Sequence, residues 1–246
     1  MIRFIHFALA FVVFMAKLSA QHYEVVYDEI ISGVTGTQTS EYHLFIDNKK
    51  SIYYQTNSEL DKIATEEVIE KNKDVRLVYA KDFTSKEMVY IASLINSMKT
   101  IKEQIPLQQW HLSQETKKIG GYLCKKATTQ FRGRNYTAWY TEDLPVLGGP
   151  WKFDGLAGLI LEVASNDGYI SIKARAISPQ KGIFPTFPVE LTKQNAISWE
   201  QYCVEFKSLI KRWEKSVAAN ANPGDEFKLS FEAIEDIGLS EVKVSK

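Results

Sequence analysis

Over its second half the chain alternates apolar and polar side chains with a period of two, broken by short turn-forming clusters, and this commits it to antiparallel strands. Ile170, Ile172, Ala174 and Ala176 point one way while Tyr169, Ser171, Lys173 and Arg175 point the other, so the sheet has a packed face and a wet one. Asn166-Asp167-Gly168 separates this run from the apolar stretch 159–164, and Asp-Gly between two strand patterns signals a hairpin. Arg132-Gly133-Arg134-Asn135 plays the same part between 121–131 and 136–141, where glycine and asparagine supply the positive φ of a tight turn. Earlier, Tyr23, Val25 and Tyr27 share one face of an extended segment, and Asp47-Asn48-Lys49-Lys50 sits between 42–46 and 52–54 as a further hairpin. Short strands are also expected at 75–79, 88–92 and 241–244, and 58–71 reads as a surface helix or a loop.

One helix is expected. Ser198 and Gln201 have the spacing of a capping box, and Trp199, Tyr202, Cys203, Phe206, Leu209, Ile210 and Trp213 recur at three- and four-residue steps as one apolar stripe. The stripe ends near Asn220, with Pro223 and Gly224 beyond. Together these elements give the expected fold class: one α+β domain over residues 21–246, mostly a curved antiparallel sheet or half-open barrel, with this helix on its apolar face.

The start of the chain has the layout of a secretory signal peptide. Met1 to Arg3 is positive, Phe4 to Met15 is an apolar run of 12 residues broken by His6, and Ser19-Ala20 precedes Gln21. The run is too short to span a bilayer of about 30 Å, so the expectation is cleavage between Ala20 and Gln21, export to a periplasm or beyond, and no transmembrane anchor. The full chain of 246 residues has 30 basic and 30 acidic side chains. Loss of Arg3 and Lys17 with the leader leaves a slight acidic excess, which argues against a nucleic-acid partner. Cys124 and Cys203 are the only cysteines, too few for a four-cysteine zinc site. An oxidising compartment permits them to pair, and two buried thiols are the other reading.

The densest segment runs from Trp139 to Leu161 and contains Leu144-Pro145, Gly148-Gly149-Pro150-Trp151-Lys152-Phe153 and Gly155-Leu156-Ala157-Gly158-Leu159-Ile160. It resembles the GLPGLI family of secreted Gram-negative proteins, with Ala157 in place of the proline, and Gly121 to Ala127 resembles the family's preceding segment. The resemblance covers residues 119–165 and implies no established activity, cofactor or catalytic residue. The glycines allow close backbone approach, and Trp139, Trp151 and Phe153 offer large apolar surfaces. They fit a packed strand-to-strand corner or the rim of a ligand cleft.

No nucleophile elbow, His-Glu-x-x-His, phosphate loop or Cys-x-x-Cys occurs. His22, His43 and His111 are widely separated, and the acidic pairs Glu66-Glu67, Glu142-Asp143 and Glu235-Asp236 read as solvated surface. Asn135-Tyr136-Thr137 matches a glycosylation acceptor. No catalytic residue, metal ligand or cofactor is assigned from these features. The resulting expectation is a non-enzymatic envelope binding or carrier module for an apolar or amphipathic ligand, a peptide segment or an envelope protein. The alternatives are a hydrolase or isomerase with an unfamiliar site and a structural partner of an outer-membrane complex.

Overall fold

The computed structural model describes residues 22–33, 36–56, 78–94, 97–180, 184, 195–220, 222, 226–230, 235–237 and 241–245. The leader with its Ala20–Gln21 junction and the segment 58–71 lie outside these residues. Eleven antiparallel strands form one sheet: β1 (His22–Gly33), β2 (Gly36–Ile46), β3 (Lys50–Gln55), β4 (Val78–Asp82), β5 (Glu87–Leu94), β6 (Ser97–Gln104), β7 (His111–Ile119), β8 (Tyr122–Phe131), β9 (Arg134–Thr141), β10 (Leu159–Ser165) and β11 (Ile170–Gln180). Their spatial order is β6-β5-β4-β3-β2-β1-β11-β10-β9-β8-β7. Two meanders, β1 to β6 and β7 to β11, are therefore joined edge to edge where β1 pairs with β11. A long helix, α1 (Trp199–Asn220), and a separate two-stranded ribbon, β12 (Glu226–Ser230) with β13 (Glu241–Ser245), complete the described chain.

The sheet curls strongly. Laid flat, β6 and the β8–β9 turn would be about 40 Å apart at some 4.8 Å per strand, yet Arg132 in that turn makes an ion pair with Glu103 on β6. The inner face carries Tyr23, Val25 and Tyr27 of β1, Leu44 and Ile46 of β2, Tyr53 of β3, Tyr136, Ala138 and Tyr140 of β9, and Ile170 and Ile172 of β11, all buried. The alternation expected along β11 holds through Ala174 and fails at Ala176, which is exposed. The cause is an extra residue in β11: Val26 pairs with Ala176 and Tyr27 with Ala174, so Arg175 has no counterpart on β1, and a one-residue insertion exchanges the two faces.

The α+β expectation is corrected here: the fold is sheet-dominated, with one helix among the described residues, set at the margin of the sheet. Ser198 and Gln201 do form the reciprocal cap, with bonds of 2.9 and 3.2 Å. The helix, however, packs on the β5–β6 end of the sheet, where Tyr202 meets Met88, Tyr90, Leu94 and Ile101, and Trp213 at the end of the stripe is 39% exposed. It also closes the β6 edge indirectly, since Ile197, just before α1, exchanges backbone hydrogen bonds with Thr100 and Lys102 and so caps an otherwise open strand.

Candidate functional site

The centre of the curled sheet is occupied by the chain's own segment 142–158. Its path is set by close backbone approaches. A Cβ on Gly158 would lie 2.0 Å from the carbonyl oxygen of Thr141, and one on Gly149 would lie 2.7 Å from Cβ of Ile160. Trp151 sits at a φ of 51°, a left-handed conformation that a bulky residue adopts only when its surroundings enforce it. The enforcement is visible: Val146, Trp151, Phe153 and Leu156 are all buried in the main core. Phe153 packs edge-on against Tyr136, Trp151 and Phe131 at ring separations of 4.8, 5.3 and 5.9 Å.

This arrangement places the aromatic, signature and cysteine residues singled out from sequence. Trp151 and Phe153 are core side chains and not the rim of a cleft. Trp139 alternates to the outer face, where the Lys117 ammonium stands 4.3 Å over its ring and pairs with Glu162. In the six-residue signature, Gly155 has a φ of 85° and faces the Trp110 ring. Leu156 is buried, Ala157 is exposed, and Leu159 and Ile160 begin β10 inside the core. Cys124 and Cys203 are both free thiols. Cys124 lies in the main core, and Cys203 packs on the helix–sheet cluster, so the pairing left open by sequence is not formed.

Two charged residues of the segment, Lys152 and Asp154, reach buried partners on opposite sides. Lys81 of β4, itself fully buried, donates to Asp154 at 2.7 Å. Lys152 Nζ is fully buried, lies 3.1 Å from Glu103 and 2.8 Å from both carboxylate oxygens of Glu235, and stands 3.9 Å over the Tyr90 ring and 4.7 Å over Trp199. Arg132 binds Glu103 and Glu235 as well and stacks on Trp199 at 4.1 Å. Burial pushes the Lys152 ammonium below the usual lysine range against the pull of Glu235 and Glu103. For Arg132 burial acts in the same direction, but the two carboxylates outweigh it and hold the guanidinium charged. The backbone of the segment is fixed independently. Gln108 donates to the Lys152 carbonyl at 3.0 Å and accepts from the Asp154 N–H at 3.1 Å, and Trp110 donates to the Asp154 carbonyl at 2.7 Å.

Sequence reasoning misses this cluster. Of the acidic pair expected at the surface, Asp236 is exposed, while Glu235 is an internal partner. The available signal is the position of Lys152 and Asp154 within a run of glycine, aromatic and aliphatic residues, since a charge in an apolar run needs a buried counter-charge. Glu142 does pair at the surface, with Lys125. His43 sits between Glu24 and Glu41 at 2.8 and 3.3 Å. Among the described residues no three His, Cys, Asp or Glu side chains converge as a metal site.

A second buried acid lies further along the inner face. Tyr42 stacks on Tyr53 at 4.7 Å and Tyr79 on Tyr90 at 5.2 Å, a ladder that follows from the pairing of Tyr53 with Tyr79 and of Tyr79 with Tyr90. Glu29, 5% exposed, accepts a long 3.4 Å bond from Tyr53. Burial pushes its carboxyl up to about 7 against the opposing hydrogen bonds of Tyr53 and Tyr42. Below pH 4.5 Glu29 is protonated in both folded and unfolded chains and carries no penalty. Between 4.5 and 7 the unfolded chain ionises first, so stability falls as pH rises and stays low above 7. Glu29→Gln is therefore expected to match the parent at about pH 4 and to exceed it by roughly 3 kcal/mol at about pH 8. Urea unfolding at the two pH values checks this, and an equal effect at both would refute it.

With this geometry in place, comparison with known proteins becomes informative. No curated protein matches the chain. Two structures of PNGF-II, in C2 and P21 space groups, align over 76% of this chain with TM-scores of 0.53 and 0.54 and 22% identity. At that identity the likeness speaks for the fold, and the chain spans 33% of the length of those structures. A putative outer membrane lipoprotein-sorting protein domain from Vibrio parahaemolyticus aligns over 76% of this chain with a TM-score of 0.33 and 8% identity, too low to carry an argument. A family model described as N-glycanase peptide, N-terminal domain, matches residues 36–199, from β2 to the first residue of α1. That match overturns the likeness to the GLPGLI family, because the segment that suggested it lies wholly inside the matched region. The non-enzymatic carrier reading falls with it, since the concave face it required is filled by residues 142–158 and the matched family is described as an N-terminal domain of N-glycanase. The chain belongs to the family of N-glycanase N-terminal domains, of the PNGase F-II type.

Proposed function

We propose that this chain takes part in the hydrolytic removal of N-linked glycans, as a domain of the N-glycanase type that acts together with the part of such enzymes it does not span. The observation that carries this reading is the family match across residues 36–199. The geometry supports a rigid element: the interior is packed with aromatic rings and crossed by buried ion pairs, so the outer surface and the edges are what a substrate or a hydrolytic domain would meet.

The test is glycan release from an N-glycosylated protein by a PNGF-II-type enzyme lacking its N-terminal domain, with and without this chain fused in that place. A several-fold higher release rate with the fusion is expected, and release by this chain alone would support the same reading more strongly. No release alone and an unchanged rate in the fusion would overturn it. We propose export as part of this function, on the strength of the leader pattern. Intact mass of the secreted protein should place its first residue at Gln21, and recovery of an uncleaved chain from membranes would contradict export.

A further inference from the structure

The buried charge cluster is assembled from parts that differ in how they are held. Lys152 is placed by the Gln108 hydrogen bond to its backbone carbonyl and by the Tyr90 and Trp199 rings. Arg132 is placed by the β8–β9 hairpin, by Glu103 and by stacking on Trp199. Both cations thus have partners besides Glu235, which arrives from the far C-terminal side of α1. Residues 235–237 lie across the hairpin as a strap. The Asp236 N–H donates to the Arg132 carbonyl at 2.9 Å, and Ile237 is buried. A Cβ on Gly133 would come within 2.5 Å of Cβ of Asp236, so the turn is shaped to receive the strap.

The charges count out plainly. Lys152 and Arg132 face Glu103 and Glu235, two against two. Without Glu235 the same cavity holds one uncompensated cation beside a fully buried ammonium, which the low-dielectric surroundings strongly disfavour. Glu235 thus does for this site what a bound ligand does: both its oxygens lie 2.8 Å from Lys152, and one also binds Arg132. Glu103, the other carboxylate of the cluster, also borders a surface groove of about 390 Å³ with Lys102, Gln104 and Ser198.

We propose that Lys152 and Arg132 form a carboxylate-binding site of which Glu235 is the intramolecular occupant, and that a carboxylate-bearing ligand takes its place when the 235–237 strap lifts. The chemistry required is a planar anion able to accept from an ammonium and a guanidinium at once, with aromatic rings on its flank. An acidic sugar and an acidic amino-acid side chain both supply it. This site is independent of the N-glycan reading and stands or falls on its own test.

The experiment uses the full chain carrying Glu235→Ala and follows thermal unfolding while acetate replaces chloride at constant ionic strength, with glucuronate and N-acetylaspartate as separate arms. The variant should melt lower than the parent and recover at least half of the loss in a saturable way with carboxylate. The parent should bind the same anions at least about tenfold more weakly, because its site is filled. Whichever of glucuronate and N-acetylaspartate binds tighter identifies the source of the carboxylate. Carboxylates acting no better than chloride would overturn the proposal. So would recovery that persists in the double variant K152M/E235A, in which the site has lost the cation the anion binds. If Glu235→Ala does not fold, Glu235→Gln, which keeps the shape and removes the charge, is melted under the same conditions: saturable recovery with carboxylate is expected, and recovery no better than with chloride would overturn the proposal.

Discussion

Gly158→Ala should destabilise the protein by at least about 4 kcal/mol, at or beyond the upper end of overpacking effects. The added methyl would meet not a movable side chain but the backbone, 2.0 Å from the Thr141 oxygen and 2.6 Å from its carbonyl carbon. Relief requires β9 and β10 to part where Leu159 pairs with Thr141. The same movement strains the Ile160 N–H bond to the Gly148 carbonyl, 2.9 Å long. By contrast, Gly168→Ala, at a φ of 75° in an open hairpin turn with nothing within 4 Å of the new methyl, should cost only about 1 kcal/mol of backbone strain. Urea midpoints of the two variants decide the matter, and comparable losses would show that the crossing at Gly158 is not as close as described.

Lys152→Met should cost about 3–5 kcal/mol, the range for removing one member of a buried ion cluster. Methionine restores most of the apolar stem but leaves Glu103 and Glu235 facing Arg132 alone, one cation for two carboxylates in a cavity that excludes water. The surface pair Lys125–Glu142, with both side chains 46% exposed, is the internal comparison. Lys125→Met should leave stability close to that of the parent, because exposed pairs contribute little. Chemical unfolding at neutral pH measures both, and a small effect for Lys152→Met would mean that the cluster is solvated.

How much of this is legible in the sequence depends on the range of the interaction. The turn at 166–168, the cap at Ser198 and the inward face of Tyr23, Val25 and Tyr27 follow from neighbours a few residues apart, and the folded chain keeps all three. Ala176 departs because the extra residue beside it, Arg175, is set by the pairing of β11 with β1, strands far apart in the chain. The signature glycines correctly mark close approach, but which backbone approaches Gly158 is a tertiary fact. Large aromatic side chains serve rims and cores alike. Only the folded chain shows Phe153 surrounded by Tyr136, Trp151 and Phe131. The cluster around Lys152 draws on residues 103, 132, 152 and 235, a spacing with no local pattern. Its one trace is the presence of Lys152 and Asp154 in an otherwise apolar stretch. The helix stripe is real, but its length does not say that α1 settles on β5 and β6 and leaves the centre of the sheet to residues 142–158.

That occupation of the centre underlies the fold, the charge cluster and the loss of the carrier reading, and hydrogen exchange tests it most directly. The amides of Phe153, Asp154 and Ile160 are bonded to the Pro150 carbonyl, the Gln108 side chain and the Gly148 carbonyl. They are predicted to exchange as slowly as the amides of β1 and β10, at the global unfolding limit. Exchange of these three on the timescale of exposed turns such as 47–49, while β1 and β10 remain protected, would show that the segment leaves the interior freely and that the curled sheet is hollow.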